Sequence, residues 1–147
     1  MPSVAFLDGE IVPLEDAKVG IMTHALHYGT GAFEGIRGNW NADDGKMYIF
    51  RLREHYERLL RGAKMLFINL PYSLEELCDI TVEVIERSGF REDVYIRPMA
   101  YKGEEKVANL NLKALSDSFF CLAVPFGQYI DSEGPIDCCV ASYRRVD

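Results

Sequence analysis

Residues 94–101 read VYIRPMAY, and their alternation of side-chain types decides how the rest of the chain is interpreted. Successive residues of a β-strand point to opposite faces of a sheet. One face is apolar and consists of Val94, Ile96, Pro98 and Ala100. The other combines a guanidinium with phenols and a thioether and consists of Tyr95, Arg97, Met99 and Tyr101. The first face is typical of a core. The second fits either a solvated sheet surface or the wall of a pocket that receives a carboxylate.

Further strands are predicted on both sides of this segment. Asp8-Gly9 separates two apolar runs in VAFLDGEIV (4–12), which predicts a tight hairpin. NADDGK (41–46) joins an extended run over 32–40 to MYIF (47–50), which predicts a second hairpin. Apolar β-formers predict two more strands, in SFFCLAVPFG (118–127) and in IDCCVASY (136–143).

Two helices are predicted between the second hairpin and the central strand. Apolar residues recur at helical spacing from Leu52 until Asn69-Leu70-Pro71 ends the pattern. Ser73 and Glu76 form a capping box for the second helix, and Gly89 stops it. A short helical turn is predicted over 22–29. The order of elements predicts one α+β domain over 1–147, with an antiparallel or mixed sheet packed on two helices in two layers.

Composition excludes several classes of partner. The chain has 16 Lys and Arg against 23 Asp and Glu, and its net charge of −7 argues against nucleic-acid binding. The first twenty residues contain four acidic side chains, so neither a signal peptide nor a membrane span is predicted. The four cysteines lack metal-type spacing and are predicted to be free thiols. We therefore expect a cytoplasmic protein.

Three residues of the extended run share one face and could line a site: Phe33, Gly35 and Arg37. The glycine would leave a gap through which a flat ligand approaches the backbone, although a bulge or a crowded strand crossing would also explain it. On the first helix, Arg58 lies between the core stripe and the polar face. We expect it to be partly buried and to hold an anion, with Gly62 leaving room for it. The alternative is a border arginine that snorkels to solvent.

Other kinds of chemistry find little support. His24 and His27 could contribute half of a metal site, but no carboxylate or cysteine has a supporting spacing, and no metal site is predicted. The sequence offers no nucleophile elbow, and no catalytic residue is assigned.

Three segments in order carry a resemblance to a known family. They are MTHALHYGTGAFEGIR (22–37), FRLREHYERLLRGAKM (50–65) and VYIRPMAY (94–101). Together they resemble the N-terminal small domain of fold-type IV pyridoxal-phosphate aminotransferases, specifically the branched-chain amino acid aminotransferase group. The likeness extends over essentially the whole chain.

The resemblance implies transamination of leucine, isoleucine and valine with 2-oxoglutarate through pyridoxal phosphate, in amino-acid biosynthesis. It assigns Arg58 to the cofactor phosphate and Tyr95 to the substrate α-carboxylate. Arg97 would pair with the distal carboxylate of glutamate or 2-oxoglutarate. If these roles are correct, the three side chains should converge on a common hollow.

The resemblance also implies walls for the site and a second subunit. The walls would include Phe33, Gly35 and Arg37. Tyr28 and Tyr129 match tyrosines that reach into the pocket of the neighbouring subunit, which implies a homodimer. Phe126, in PFGQY, stands where the family often has tryptophan, which leaves the fine substrate preference open.

The lysine that forms a Schiff base with the cofactor has no counterpart in the chain. All six lysines fall in polar sequence surroundings, and none matches the family position: Lys18, Lys46, Lys64, Lys102, Lys106 and Lys113. We therefore expect residues 1–147 to be the small domain of a larger enzyme, to be inactive alone, and not to bind pyridoxal phosphate alone, which the full-length enzyme binds.

Two alternatives stay open. One is a D-amino acid aminotransferase or aminodeoxychorismate lyase of the same fold, although FEGIR with YIRP argues against both. The other is a non-catalytic dimerisation or binding module that kept the sheet and lost the chemistry.

Overall fold

The computed structural model describes residues 3–127, 135 and 137–144. Its strands are β1 (Val4–Leu7), β2 (Glu10–Pro13), β3 (Gly31–Phe33), β4 (Ile36–Asn41), β5 (Lys46–Ile49), β6 (Val94–Lys102) and β7 (Asp117–Pro125). Its helices are α1 (His24–Tyr28), α2 (Leu52–Met65) and α3 (Leu74–Ser88), with a 3-10 turn at Leu112–Ala114. The strands form one sheet in the order β2-β1-β7-β6-β4-β5, and β3 also pairs with β6. Every one of these pairings is antiparallel, which confirms the predicted α+β fold.

The local signals for the first hairpin and the second long helix are confirmed. Leu7 pairs with Glu10 across a two-residue turn, in which Asp8 has φ +45° and Gly9 has φ +107°. At the start of α3, the Ser73 side chain accepts a hydrogen bond from the Glu76 backbone N–H, and the Glu76 carboxylate accepts one from the Ser73 backbone N–H. The helix ends where Gly89 adopts the left-handed conformation, φ +65°.

Helices α2 and α3 cover one face of the sheet. The predicted core face of β6 is buried there along its whole length, with Val94, Ile96 and Ala100 fully inaccessible. Buried side chains of the two helices meet this face: Tyr56, Leu59, Ala63, Leu77, Val84 and Ile85. The opposite face of β6 is left uncovered by α2 and α3. A site on the sheet therefore has to lie on that uncovered face or at the edge between the covered and the uncovered face.

The extended run predicted over 32–40 is divided into two strands, β3 and β4, at the point where it faces Pro98 of β6. Strands β3 and β4 share one register against β6, since Phe33 pairs with Met99 and Ile36 pairs with Ile96. Between them the Glu34 N–H donates to the Pro98 carbonyl at 3.1 Å. Pro98 has no N–H to return, so the ladder opens at that point. The alternation nevertheless continues, and Glu34 stays on the helix side.

The strand predicted over 136–143 is wrong for the residues that the structure describes. Residues 137–144 are irregular, and Val140 and Tyr143 are almost fully exposed. A strand needs a neighbour to pair its backbone groups, and no described strand pairs with this segment. The content of apolar β-forming residues was therefore not sufficient to predict a strand here. The four cysteines are free, as predicted, with Cys121 buried and Cys138 and Cys139 exposed.

None of the helices in the described ranges is long and apolar enough to cross a membrane.

Candidate active site

The sheet face opposite the helices gathers most of the predicted site residues. Its alternation is the one expected from VYIRPMAY, except that Tyr101 is buried against Phe120, with ring centroids 5.7 Å apart. Six of the predicted residues lie together on this face: Phe33, Gly35, Arg37, Tyr95, Arg97 and Phe126. We call this set the open-face cluster.

Arg97 lies at the centre of the open-face cluster with its charge uncompensated. One of its Nη atoms donates to the Tyr95 hydroxyl at 2.6 Å, and its Cζ lies 4.2 Å from the centroid of the Phe33 ring. Its Nε is buried without a hydrogen-bond partner. No carboxylate of the described residues pairs with it. A guanidinium that lies against aromatic groups and has no carboxylate partner among the described residues has the chemistry to bind an anion.

The gap predicted at Gly35 is filled by the protein itself. A Cβ at position 35 would lie 2.5 Å from the hydroxyl oxygen of Tyr95. The glycine therefore makes room for the phenol that Arg97 contacts, and the expectation of an empty slot for a flat ligand is wrong. Gly35 contributes to the cluster by letting Tyr95 lie against the backbone between β3 and β4.

Arg37 closes the other end of the cluster and is already paired. Its guanidinium donates to Asp93 at 2.7 Å and lies 5.0 Å from the centroid of the Phe126 ring, which stacks on Tyr95 at 5.8 Å. The hydrogen bond from Arg37, with a second from the Trp40 backbone N–H, lowers the pKa of the Asp93 carboxyl. Asp93 thus stays ionised and keeps Arg37 against the aromatic stack.

Arg58 projects from α2 and is more exposed than predicted. Its side chain is 64% accessible, and it forms a two-pronged pair with Glu34, Nε to Oε1 and Nη2 to Oε2, each at 2.5 Å. The predicted role of Gly62 is also wrong. A Cβ there would make an ordinary van der Waals contact with the Ala32 Cβ at 3.5 Å and would meet no atom of Arg58 within 4 Å, so Gly62 makes no room for that arginine.

The expected convergence of Arg58 with Tyr95 and Arg97 is absent from the described contacts. Arg58 bonds Glu34 and approaches His55, whereas Tyr95 and Arg97 bond each other on the opposite side of the strand. The two groups meet only through the backbone, because Glu34 lies between Phe33 and Gly35. They are neighbours across one strand, and they do not share one hollow among the described residues.

Tyr28 lies outside the open-face cluster. Its ring stacks on His24 at 4.4 Å, and its hydroxyl accepts a hydrogen bond from the Ala108 N–H at 2.8 Å. Tyr129, its predicted companion, falls outside the described residues. His24 and His27 are both used structurally, His24 against Thr30 and the Asn109 carbonyl, His27 against the Ile21 carbonyl.

Comparison with known proteins identifies the family. The sequence profile of class IV amino-transferases matches residues 31–147. The chain belongs to this family.

Curated and solved members of the family resemble the chain closely. It is 47% identical over 143 residues to a probable branched-chain-amino-acid aminotransferase of Aquifex aeolicus, covering 97% of this chain and 46% of that protein. The crystal structure of the branched-chain aminotransferase of Thermoproteus uzoniensis with norvaline matches 89% of this chain and 43% of that one, with a TM-score of 0.80 and 45% identity.

A second structure is that of the branched-chain amino acid aminotransferase from Thermobaculum terrenum in its PLP form. It matches 86% of this chain and 41% of that one, with a TM-score of 0.75 and 30% identity. The chain thus spans about half the length of the aminotransferases that it matches.

The polar sequence surroundings of the six lysines did not reveal that one of them, Lys102, is buried. Lys102 is 1% exposed, and its Nζ donates to Asp117 at 2.5 Å and to the carbonyls of Phe67 and Leu115. These three acceptors hold the amine in place as a structural cation. The remaining lysines are exposed.

Sequence reasoning missed three polar residues beside the site. Glu34 and His55 form one group with Arg58, and Asp93 holds Arg37. For Glu34 a signal existed, because the alternation of the extended run put this acid on the same face as Ile36. A carboxylate on a core face needs a cationic partner. Asp93 and His55 carried no comparable signal.

Proposed function

We propose that residues 1–147 are the small domain of a pyridoxal-phosphate-dependent aminotransferase that moves the amino group of leucine, isoleucine or valine to 2-oxoglutarate. The names of the relatives support the substrate class, and the length of those relatives supports a second, larger domain. The observation that carries the proposal is the uncompensated guanidinium of Arg97 in the open-face cluster.

The three arginines of the site differ in whether the fold already provides a carboxylate partner for the guanidinium. Arg37 and Arg58 already have carboxylate partners, whereas Arg97 has none among the described residues. A carboxylate of the substrate would meet the free edge of Arg97 and the Tyr95 hydroxyl, and it would complete the pair that the fold leaves open. The exposed ring of Phe33 offers an apolar wall for an aliphatic side chain in the same place.

Arg58 suits the phosphate of the cofactor, although it shares no hollow with Tyr95 and Arg97 among the described residues, and the proposal therefore does not include the expected common hollow. The pair with Glu34 uses Nε and one N–H of Nη2, which leaves Nη1 and the outer side of the guanidinium available to an anion. The 64% accessibility of its side chain gives that outer side room. When bound, pyridoxal phosphate supplies an electron-accepting ring that stabilises negative charge at the substrate α-carbon. In this proposal Arg58 binds the phosphate of the cofactor and Arg97 binds a carboxylate of the substrate. Because the two side chains do not contact each other, they hold these two charged ends apart.

No lysine of the described chain suits the covalent anchoring of the cofactor. Lys102 is buried and fully engaged, and the other five are exposed side chains outside the open-face cluster. We infer that the anchoring lysine, and with it the movement of the substrate α-proton, belongs to the larger domain.

A homodimer in the cytoplasm is part of the proposal. Apolar side chains around α1 are exposed in the single chain, among them Ile21 at 84%, Leu26 at 62% and Leu110 at 76% accessibility. Tyr28 lies beside them. Such a surface supports a partner at this end of the molecule.

The test is an amino-transfer assay on the whole enzyme that contains this chain. Leucine, isoleucine and valine with 2-oxoglutarate are expected to yield glutamate, and D-alanine is expected to yield none. Turnover of D-amino acids, or release of pyruvate from aminodeoxychorismate, would replace the proposal with the corresponding alternative. Absence of turnover with every substrate would leave a non-catalytic module.

A further inference from the structure

We propose that Glu34 and His55 are positioning residues that fix the guanidinium of Arg58 for a phosphate dianion. This inference rests on the proposed function, which assigns the phosphate to Arg58. It concerns residues that touch neither the phosphate nor the substrate, and it explains why a buried acid lies between β3 and β4, flanked by two wall residues of the site.

The geometry at Glu34 is that of a fork. Its carboxylate is 6% accessible and receives Nε of Arg58 on one oxygen and Nη2 on the other. Two parallel bonds fix the plane of a guanidinium as well as its position. Arg58 is otherwise a long side chain that is largely exposed. Without the fork it would lose its orientation among many rotamers.

His55 supports the carboxylate from the side. Its Nδ1 lies 3.0 Å from Oε2 of Glu34, the oxygen that also receives Nη2 of Arg58. His55 and Arg58 lie about one turn apart on α2, so both reach the carboxylate of Glu34. Three donors on one carboxylate hold it in a single rotamer. Burial raises the pKa of Glu34, but the bonds from Arg58 and His55 outweigh this and lower it, so the carboxylate stays charged.

Glu34 stands where the ladder opens opposite Pro98. Its backbone is therefore joined to Phe33 and Gly35 of the open-face cluster, while its side chain holds Arg58 on the helix side. The fork thus sets the distance between the phosphate-binding group and the carboxylate-binding group, which do not contact each other directly.

Glu34 could either position Arg58 or compete with the phosphate for it, and these two roles predict opposite effects of neutralising Glu34 on phosphate binding. If Glu34 positions Arg58, its neutralisation weakens phosphate binding although it removes a repulsive negative charge. If Glu34 merely competes with the phosphate for Arg58, the same change strengthens binding. The fork geometry favours positioning, because the outer side of the guanidinium remains open.

The experiment compares pyridoxal phosphate with pyridoxal on the apoenzyme of the whole protein. The ratio of the two dissociation constants isolates the contribution of the phosphate from that of the ring and of general folding. We expect Arg58→Gln to reduce the preference for the phosphate about 100-fold and Glu34→Gln about tenfold, as expected for loss of charge-assisted bonds.

His55 supplies a second, milder variant. His55→Leu removes the donor, and we expect a reduction of about threefold to fivefold. His55→Asn places an amide N–H near the position of Nδ1, and we expect it to restore the preference. Arg61→Gln, on the same helix and without an ion pair among the described residues, is the control and should match the wild type.

The outcomes separate the two proposals. A normal or raised phosphate preference in Glu34→Gln, with a strong loss in Arg58→Gln, would overturn the positioning role and leave the proposed function intact. An unchanged preference in Arg58→Gln would overturn both. If Glu34→Gln fails to fold, as shown by lost pyridoxal binding, the pair His55→Leu and His55→Asn decides the question, and equal values for that pair overturn the inference.

Discussion

Two cationic side chains of β6, Lys102 and Arg97, differ in whether the fold supplies partners for their charges. Lys102, at the end of β6, is 1% exposed and has an acidic partner and two carbonyl acceptors. Arg97, five residues earlier on β6, has no acidic partner among the described residues and keeps a buried N–H without an acceptor. The fold compensates the first charge fully and leaves the second open.

The difference distinguishes a charged side chain with a structural role, Lys102, from one for which we propose a ligand-binding role, Arg97. A buried charge that the fold needs is surrounded by its own partners, because an unpaired one would cost several kcal/mol. Arg97 is held in place by neutral groups, a phenol and an aromatic ring, which leaves its charge without a counter-charge among the described residues. Substitutions at the two sites should therefore affect different measurements.

The largest expected effect on stability is that of Lys102→Met. The substitution leaves Asp117 half-buried with only the Asn69 N–H as a described partner. We expect the free energy of unfolding to fall by about 3–5 kcal/mol. Urea denaturation measures it, and the exposed Lys64→Met on α2 is the matched control. A loss below about 1 kcal/mol would mean that Lys102 is not the structural cation described here.

The next effect contrasts the two faces of β6. Ile96→Ala empties a fully buried position on the helix-covered face and should cost about 3 kcal/mol. Met99→Ala, on the partly exposed opposite face, should cost about 1 kcal/mol or less. Equal losses in urea denaturation would show that both faces carry the core.

The smallest effect concerns the acid limb of stability at Glu34. The folded-state pKa of Glu34 is lowered, so its contribution is fully present above the unfolded pKa of about 4.5 and is lost as the pH falls through the folded pKa. Glu34→Gln should therefore be less stable than the wild type near pH 6, and the gap should narrow towards about pH 3. The midpoint of urea unfolding at each pH measures the gap. A constant gap would contradict the ionised fork.

Local signals in the sequence predicted most of the fold. Asp8-Gly9 fixed a two-residue turn, the Ser73–Glu76 capping box fixed a helix start, and the alternation of 94–101 fixed the two faces of β6. Each depends on residues that are close together in the chain. The apolar run at 136–143 misled because strand formation depends on a neighbour, which a local pattern does not reveal.

The site could be predicted only in part for the same reason. The alternation and the family resemblance brought out Phe33, Gly35, Arg37, Tyr95, Arg97 and Phe126, and these do lie together. The exposure of Arg58, the burial of Lys102 and the phenol over Gly35 arise from contacts between elements that are distant in sequence. Helical spacing fixes the direction of a side chain and says nothing of which acid will meet it.

The central claim is that Arg97 is kept open for a substrate carboxylate. The most direct test is Arg97→Met in the whole enzyme, measured as the ratio of kcat/KM for 2-oxoglutarate to that for 4-methyl-2-oxopentanoate, which lacks the distal carboxylate. We predict a fall in this ratio of about 100-fold, with the free energy of unfolding changed by less than about 1 kcal/mol. An unchanged ratio, or a stability loss as large as that of Lys102→Met, would contradict the account.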